Sequence, residues 1–420
     1  MKTAFPTVAL LASLAASNAH AARDPFPSAV LDEAWTEQKV TAIEGTAYMD
    51  YGSAAVVRKS SAVIGARGEN ERTGAAYVLK KSGTQWIQAQ KITADDGLVG
   101  DEYGYRIVLD DTSLIVTAFN ATVDGIPFQG AAYAYVYDAG AWRQAQKLTA
   151  VDGAVFDDFG SSIALDADSA IIGAFGADLK GAAYAFERSG DTWTQAQKLS
   201  ADDGVSYDNF GVSAALSGTT AFVGANNAAI DGGLAQGAVY VFVNVGGQWS
   251  QVQKLTASDG QAGDNFGMSV AFDGTTLLVG APPARTTRGV VYAFTESDGR
   301  WVELQTLSPD DGMNGDYFGE EIAMKDSGAV IAAETARIDG DSRGVAYRFE
   351  SVDGTWIQRH KFIASDGSTG DFFGFAIGYD GSTAVITAPS SDIDGNQSQG
   401  AAYFYTRETV FADGFESAAP

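Results

Sequence analysis

Seven tryptophans fall at Trp35, Trp86, Trp142, Trp193, Trp249, Trp301 and Trp356, separated by 51, 56, 51, 56, 52 and 55 residues, and the chain has no others. Self-similarity at a fixed period of this size marks a repeat architecture, in which each unit buries its apolar faces only against its neighbours. Other landmarks keep step. An aromatic-Gly pair recurs at Tyr51-Gly52, Tyr103-Gly104, Phe159-Gly160, Phe210-Gly211, Phe266-Gly267, Phe318-Gly319 and Phe373-Gly374. A short apolar run follows, such as AIIGA (Ala170–Ala174) or LLVGAP (Leu277–Pro282), then Gly-x-x-Tyr, as in GAVYVF (Gly237–Phe242), then W-x-Q-x-QKL, as in WTQAQKL (Trp193–Leu199).

Each unit therefore offers four strand segments: A after aromatic-Gly, B at the GA run, C from Gly-x-x-Tyr and D from Trp. Alternation places Trp193, Gln195, Gln197 and Leu199 on one face of segment D. The A–B and C–D connections, such as LDADS (Leu165–Ser169) and ESDGR (Glu296–Arg300), are short and carry turn residues. Seven four-stranded units make an all-β chain, a seven-bladed β-propeller. The chain opens on a lone D segment, WTEQKV (Trp35–Val40), and its last unit ends at C, GAAYFY (Gly400–Tyr405). The N-terminal outer strand is thus expected to complete the last blade and close the ring, which removes an exposed edge. The propeller should span 35–405, after a signal peptide at 1–21 and a lead-in at 22–34, with a tail at 406–420.

The signal peptide is read from MKTAFPTVALLASLAASNAHA: one Lys, an apolar run and Ala19-His20-Ala21 as an A-x-A site, with cleavage after Ala21. The run is too short to span a bilayer, and no later segment is long and apolar enough. The chain is expected outside the cytoplasm, secreted or at the cell surface, and monomeric. A formal charge of −26 argues against nucleic acid as a partner, since phosphate binding needs clustered Lys and Arg. Absence of Cys excludes disulfides, zinc-thiolate sites and thiol catalysis.

At these landmarks the chain resembles the FG-GAP repeat family, the β-propeller type of integrin α-subunit heads and of many secreted bacterial proteins. NFGMSVAFDGTTLLVGAPPARTTRGVVYAF (Asn265–Phe294) carries the pattern most fully: FG, then GAP, then a G-x-V-Y-like strand. The resemblance implies a binding or adhesion module. Integrin-type repeats often hold calcium in a D-x-D-x-D-G loop between A and B; here those connections are too short, and that site is not carried over. No RGD-type tripeptide is present.

The D–A connection has its own phrase, Asp-Gly-x-x-x-Asp-x-aromatic-Gly, complete in six copies with acid pairs Asp96/Asp101, Asp152/Asp157, Asp203/Asp208, Asp259/Asp264, Asp311/Asp316 and Asp366/Asp371. The first copy has Glu44 and Met49 instead. One reading is a corner of the fold: Asp caps a turn, Gly supplies positive φ and the aromatic packs between blades. The other is a cation loop for calcium, with two carboxylates and backbone carbonyls starting the six to eight oxygens calcium needs. Met49 leans toward the corner.

The B–C loops vary in length. Four long versions carry an aliphatic-Asp-Gly at Asp124, Asp231, Asp339 and Asp394. Strand alternation puts the D–A and B–C loops on one face, and variable loops on a rigid scaffold are where binding concentrates. That face is expected to bind an extracellular protein or glycan. Seven spaced Trp suit blade packing better than sugar stacking. After cleavage one His remains, His360, where other copies have Gln, so no positioned base for Ser-His-Asp chemistry is in view. No residue is assigned a catalytic role. The rival to a non-catalytic module is an extracellular polysaccharide hydrolase or lyase that uses loop carboxylates.

Overall fold

The computed structural model describes residues 34–282 and 288–408. The expected signal peptide and most of the lead-in and tail lie outside them. Seven four-stranded antiparallel sheets follow one another, each ordered A-B-C-D. The third blade shows the plan: strands Phe159–Asp166, Ser169–Ala174, Ala182–Ser189 and Thr192–Leu199. The last sheet joins both ends of the propeller. Its outer strand, Trp35–Val40, pairs antiparallel with Ala401–Arg407 in the register Trp35↔Arg407 to Val40↔Ala402. The ring is closed as expected.

The alternation expected of strand D does not hold. Gln195 lies opposite Phe186 and Gln197 opposite Ala185, so Ala196 is an extra residue, a β-bulge, and the same shift recurs in the first, second, fourth, fifth and sixth blades. The bulge splits the motif between two faces: Trp193 and Gln195 go one way, Gln197 and Leu199 the other. Each half then serves a different neighbour. Trp193 is buried with Ile115 and Leu148 of the second blade, Leu199 with Phe210 and Tyr240 of the fourth.

Gln197 makes two hydrogen bonds to the next blade. Its Nε2 donates to the Trp249 carbonyl at 2.8 Å, and its Oε1 accepts the Trp249 N–H at 2.9 Å. The same double bond joins Gln38 to Trp86, Gln90 to Trp142, Gln146 to Trp193, Gln253 to Trp301 and Gln305 to Trp356. The other Gln reaches back: the Oε1 of Gln195 accepts the Val151 N–H at 3.0 Å, fixing the D–A loop before its own blade.

The GA and FG pairs meet between blades. A Cβ placed on Gly224 would lie 2.1 Å from the Gly267 carbonyl oxygen, and one on Gly173 2.0 Å from that of Gly211. Only glycine lets these backbones approach so closely.

Candidate binding face

The two acids of the D–A phrase do different things. The first ties the loop to strands C and D of the blade that follows. Asp203 accepts the Tyr240 hydroxyl and the Lys254 ammonium, both at 2.8 Å. Asp96, Asp311 and Asp366 do the same with Tyr133 and Lys147, Tyr347 and Lys361, and Tyr403 and Lys39. Asp259 takes Tyr292 alone, because Thr306 stands where the Lys would be. Lys198 bridges Asp152 and Asp178. Burial pushes the Asp203 carboxyl up, but Lys254 and Tyr240 outweigh it and hold it below the usual carboxylate range.

The second acid closes the turn. Asp208 accepts the Val205 N–H at 2.8 Å, and Asp101, Asp157, Asp264, Asp316 and Asp371 accept the N–H three residues back at 2.6–2.9 Å. In the first copy Met49 is fully buried, and Glu69 from the B–C loop takes over the bonds to Tyr77 and Lys91. Among the described residues no group of three His, Asp or Glu is placed to hold a metal. The A–B connections are tight turns: Asp110 caps Thr112 and Ser113, and Asp273 caps Thr275 and Thr276. The calcium loop of integrin-type repeats does not fit there.

Asp124, Asp231, Asp339 and Asp394 sit at the exposed tips of four separate hairpins. Each has φ of 49–54°, and the Gly after it 82–93°. These are the left-handed pairs of a type I′ turn, which Asp-Gly supplies. The bonds from Val123 N–H to the Ile126 carbonyl and back, at 3.1 and 2.8 Å, close the first of them. Turn geometry accounts for the residue type at all four tips, and the structure brings them to four different blades rather than into one site.

A second feature of the ring was not anticipated from the sequence. The A strands of all seven blades line a central cavity of about 400 Å³. In the third, fourth and fifth blades the second residue after aromatic-Gly is Ser162, Ser213 or Ser269, whose hydroxyl donates to the next FG glycine carbonyl at 2.6–2.8 Å. The second and sixth blades hold Arg106 and Glu321 there, beside Glu320 and Glu334. In those two blades the GA glycine is replaced as well, by Thr117 and Ala332. Burial pushes the Glu334 carboxyl up to about 8, and Glu320 beside it adds to the rise. Burial raises Glu321 too, with Arg106 pulling it partly back. The signal was a break in register: charged residues at positions the other blades fill with Ser or Ala.

A family model described as FG-GAP repeat matches residues 86–136, 142–186, 193–242, 249–294, 301–349 and 356–405. Every match begins on the Trp of one blade and runs into strand C of the next. The copy carrying Glu44 and Met49 is not among them. No curated protein matches the chain.

Proposed function

Because this chain belongs to the FG-GAP repeat family, whose propellers are in general binding and adhesion domains, we propose that it is an exported, non-catalytic binding module whose D–A/B–C face recognises an extracellular protein or glycan. One observation carries the reading. The residues that repeat in register are consumed by holding blades together: Gln and Trp at the rim, Asp, Tyr and Lys at the loops, Gly and Ser near the axis. Variation is left to loop length and loop-tip residues on one face and to the lining of the central cavity. A rigid ring with free loops is what recognition needs, since little ordering entropy is lost on binding. The signal-peptide pattern supports export, and N-terminal sequencing of exported protein should begin at Ala22.

The test is an array of extracellular proteins and glycans probed with the exported chain. A variant with Asp124, Asp231, Asp339 and Asp394 all changed to Asn keeps residues that tolerate left-handed φ. It is compared with one changed to Asn at Asp191, Asp298 and Asp353 on the opposite face. Binding weakened only by the first variant supports the reading. Equal effects, or turnover of a glycan abolished by one carboxylate change, would overturn it.

A further inference from the structure

We infer that the central cavity of the ring is a site for one small zwitterion, an α-amino acid with an apolar side chain, held between Arg106 on one wall and Glu320, Glu321 and Glu334 on the other. The site lies on the axis of the ring, so the inference stands apart from the reading of the D–A/B–C loops.

The second residue after aromatic-Gly is Ser162, Ser213 or Ser269 in three blades and Ala54 or Ala376 in two. The fold therefore accepts a small residue at this position, and the three serines are used within the ring, on the FG glycine carbonyls. Arg106 and Glu321 stand there in the second and sixth blades, which are as far apart as two blades of a seven-membered ring can be. Both line the cavity. Each feels the other's charge, yet they do not meet. Among the described residues neither side chain makes an ion pair or a hydrogen bond, and the Arg106 guanidinium lies over the Tyr105 ring at 5.0 Å. Taking a charge part of the way out of water without a partner is costly, and a serine would avoid that cost. Charge kept where the scaffold needs none points to a use outside the scaffold. Glu320 and Glu334 enlarge the acidic wall, both on the sixth blade and in contact with each other.

The charge pattern selects the ligand. A cavity of about 400 Å³ has the size of a small-molecule site. A metal ion is not suited: among the described residues no group of three His, Asp or Glu is placed to hold one, and Arg106 would repel it. An anion would face three carboxyls, and a lone amine would leave Arg106 without a partner. A zwitterion serves both walls at once. Its carboxylate accepts the paired N–H groups of Arg106. Its ammonium donates to the glutamates and offsets the burial that raises their carboxyls. Val212, Met268 and Phe375 also line the cavity and offer apolar surface to the ligand's side chain.

The probe is a panel of free α-amino acids, titrated into the exported chain by calorimetry. At least one apolar amino acid is expected to bind saturably at one site per chain. Its deaminated acid and its decarboxylated amine should each bind at least about tenfold more weakly. Arg106→Gln and Glu334→Gln should each weaken the amino acid at least about tenfold and leave the melting temperature within a few degrees of the parent. Should Arg106→Gln fail to fold, Arg106→Lys keeps the charge, loses the planar fork and is expected to bind at least about tenfold more weakly. The four loop Asp→Asn changes should leave this binding unchanged. The proposal is overturned if no amino acid binds, if the amine or the acid alone binds as well as the amino acid, or if the Arg106 and Glu334 variants bind within twofold of the parent. Loss of binding in the loop variant overturns it too, for that places the ligand on the D–A/B–C face. Array binding that survives Arg106→Gln and falls with the loop changes supports the broader reading by itself, so the two can fail separately.

Discussion

His360 and Trp35 meet with ring centroids 6.1 Å apart where the sixth blade adjoins the blade that contains both ends of the propeller. At each of the six other blade junctions the residue in the place of His360 is a Gln that grips the backbone of the Trp in the place of Trp35. At the closing junction Trp35, His360 and Phe362 pack ring against ring. His360→Ala is expected to lower the melting temperature, measured by calorimetry, because it removes ring contacts with Trp35 and Phe362. Gln197→Ala strands the Trp249 N–H and carbonyl in a part-buried site and should cost about 1–3 kcal/mol.

Stability should depend on pH in two directions. Burial raises the carboxyls of Glu320, Glu321 and Glu334, the last to about 8, so the folded chain takes up protons before the unfolded chain does. Stability then grows as pH falls from about 8 toward the ordinary carboxylate range. The loop acids Asp96, Asp152, Asp203, Asp311 and Asp366 lie below their ordinary value, and their contribution is lost as pH falls further, through their folded pKa values. Melting temperature against pH should peak on the mildly acidic side of neutral. Glu334→Gln should flatten the neutral-to-acid rise and leave the steep acid limb in place.

Gly224→Val should unfold or open the ring locally. The new side chain meets the backbone carbonyl of Gly267 rather than the end of a flexible side chain. We expect a loss of at least about 3 kcal/mol in denaturant titration, at the upper end for overpacking. Thr at the matching position of the second and seventh blades shows that the space is set blade by blade; the Thr387 hydroxyl donates to the Gly52 carbonyl at 2.7 Å.

Calcium is expected to leave the melting temperature unchanged, compared in chelator and in rising calcium. The first acid of each loop is engaged by Tyr or Lys, and the second by a backbone N–H. A saturable rise would reverse this, since an ion at a hundred times its dissociation constant adds about 2.7 kcal/mol.

The propeller was legible because its landmarks repeat and because one strand was visibly displaced from the end of the chain to the beginning. The bulge at Ala196 was not legible: a bulge leaves no residue signature in A-Q-K, and it reverses the face on which Gln197 and Leu199 lie. The partners of those glutamines were hidden too, since they are backbone groups on the next blade. The loop Asp-Gly pairs invited a functional reading, and the turn geometry at Asp124 and Asp231 supplies a plainer one. Arg106 and Glu321 went unnoticed because they lie far apart in the chain and are neighbours only around an axis that exists once the ring has closed. In a repeat protein the residues that agree across copies report the scaffold, and the dissenting ones deserve the closer reading.

The pairing of Trp35 with Arg407 has a mechanical consequence. The Glu408 N–H is bonded to the Ala34 carbonyl at 2.9 Å, so the polypeptide leaves the ring beside the point where it enters. That point is at the C–D end of the blade, on the side away from the D–A and B–C loops. Strung on a longer tether, such a ring would hang as a pendant, adding almost nothing to the contour length while presenting its loops outward. Tension along the tether would open the Trp35–Arg407 ladder one rung at a time, as a zip, and not shear all its bonds together. The last blade is therefore the weak link under load, and it yields before the loops of the second to fourth blades are disturbed.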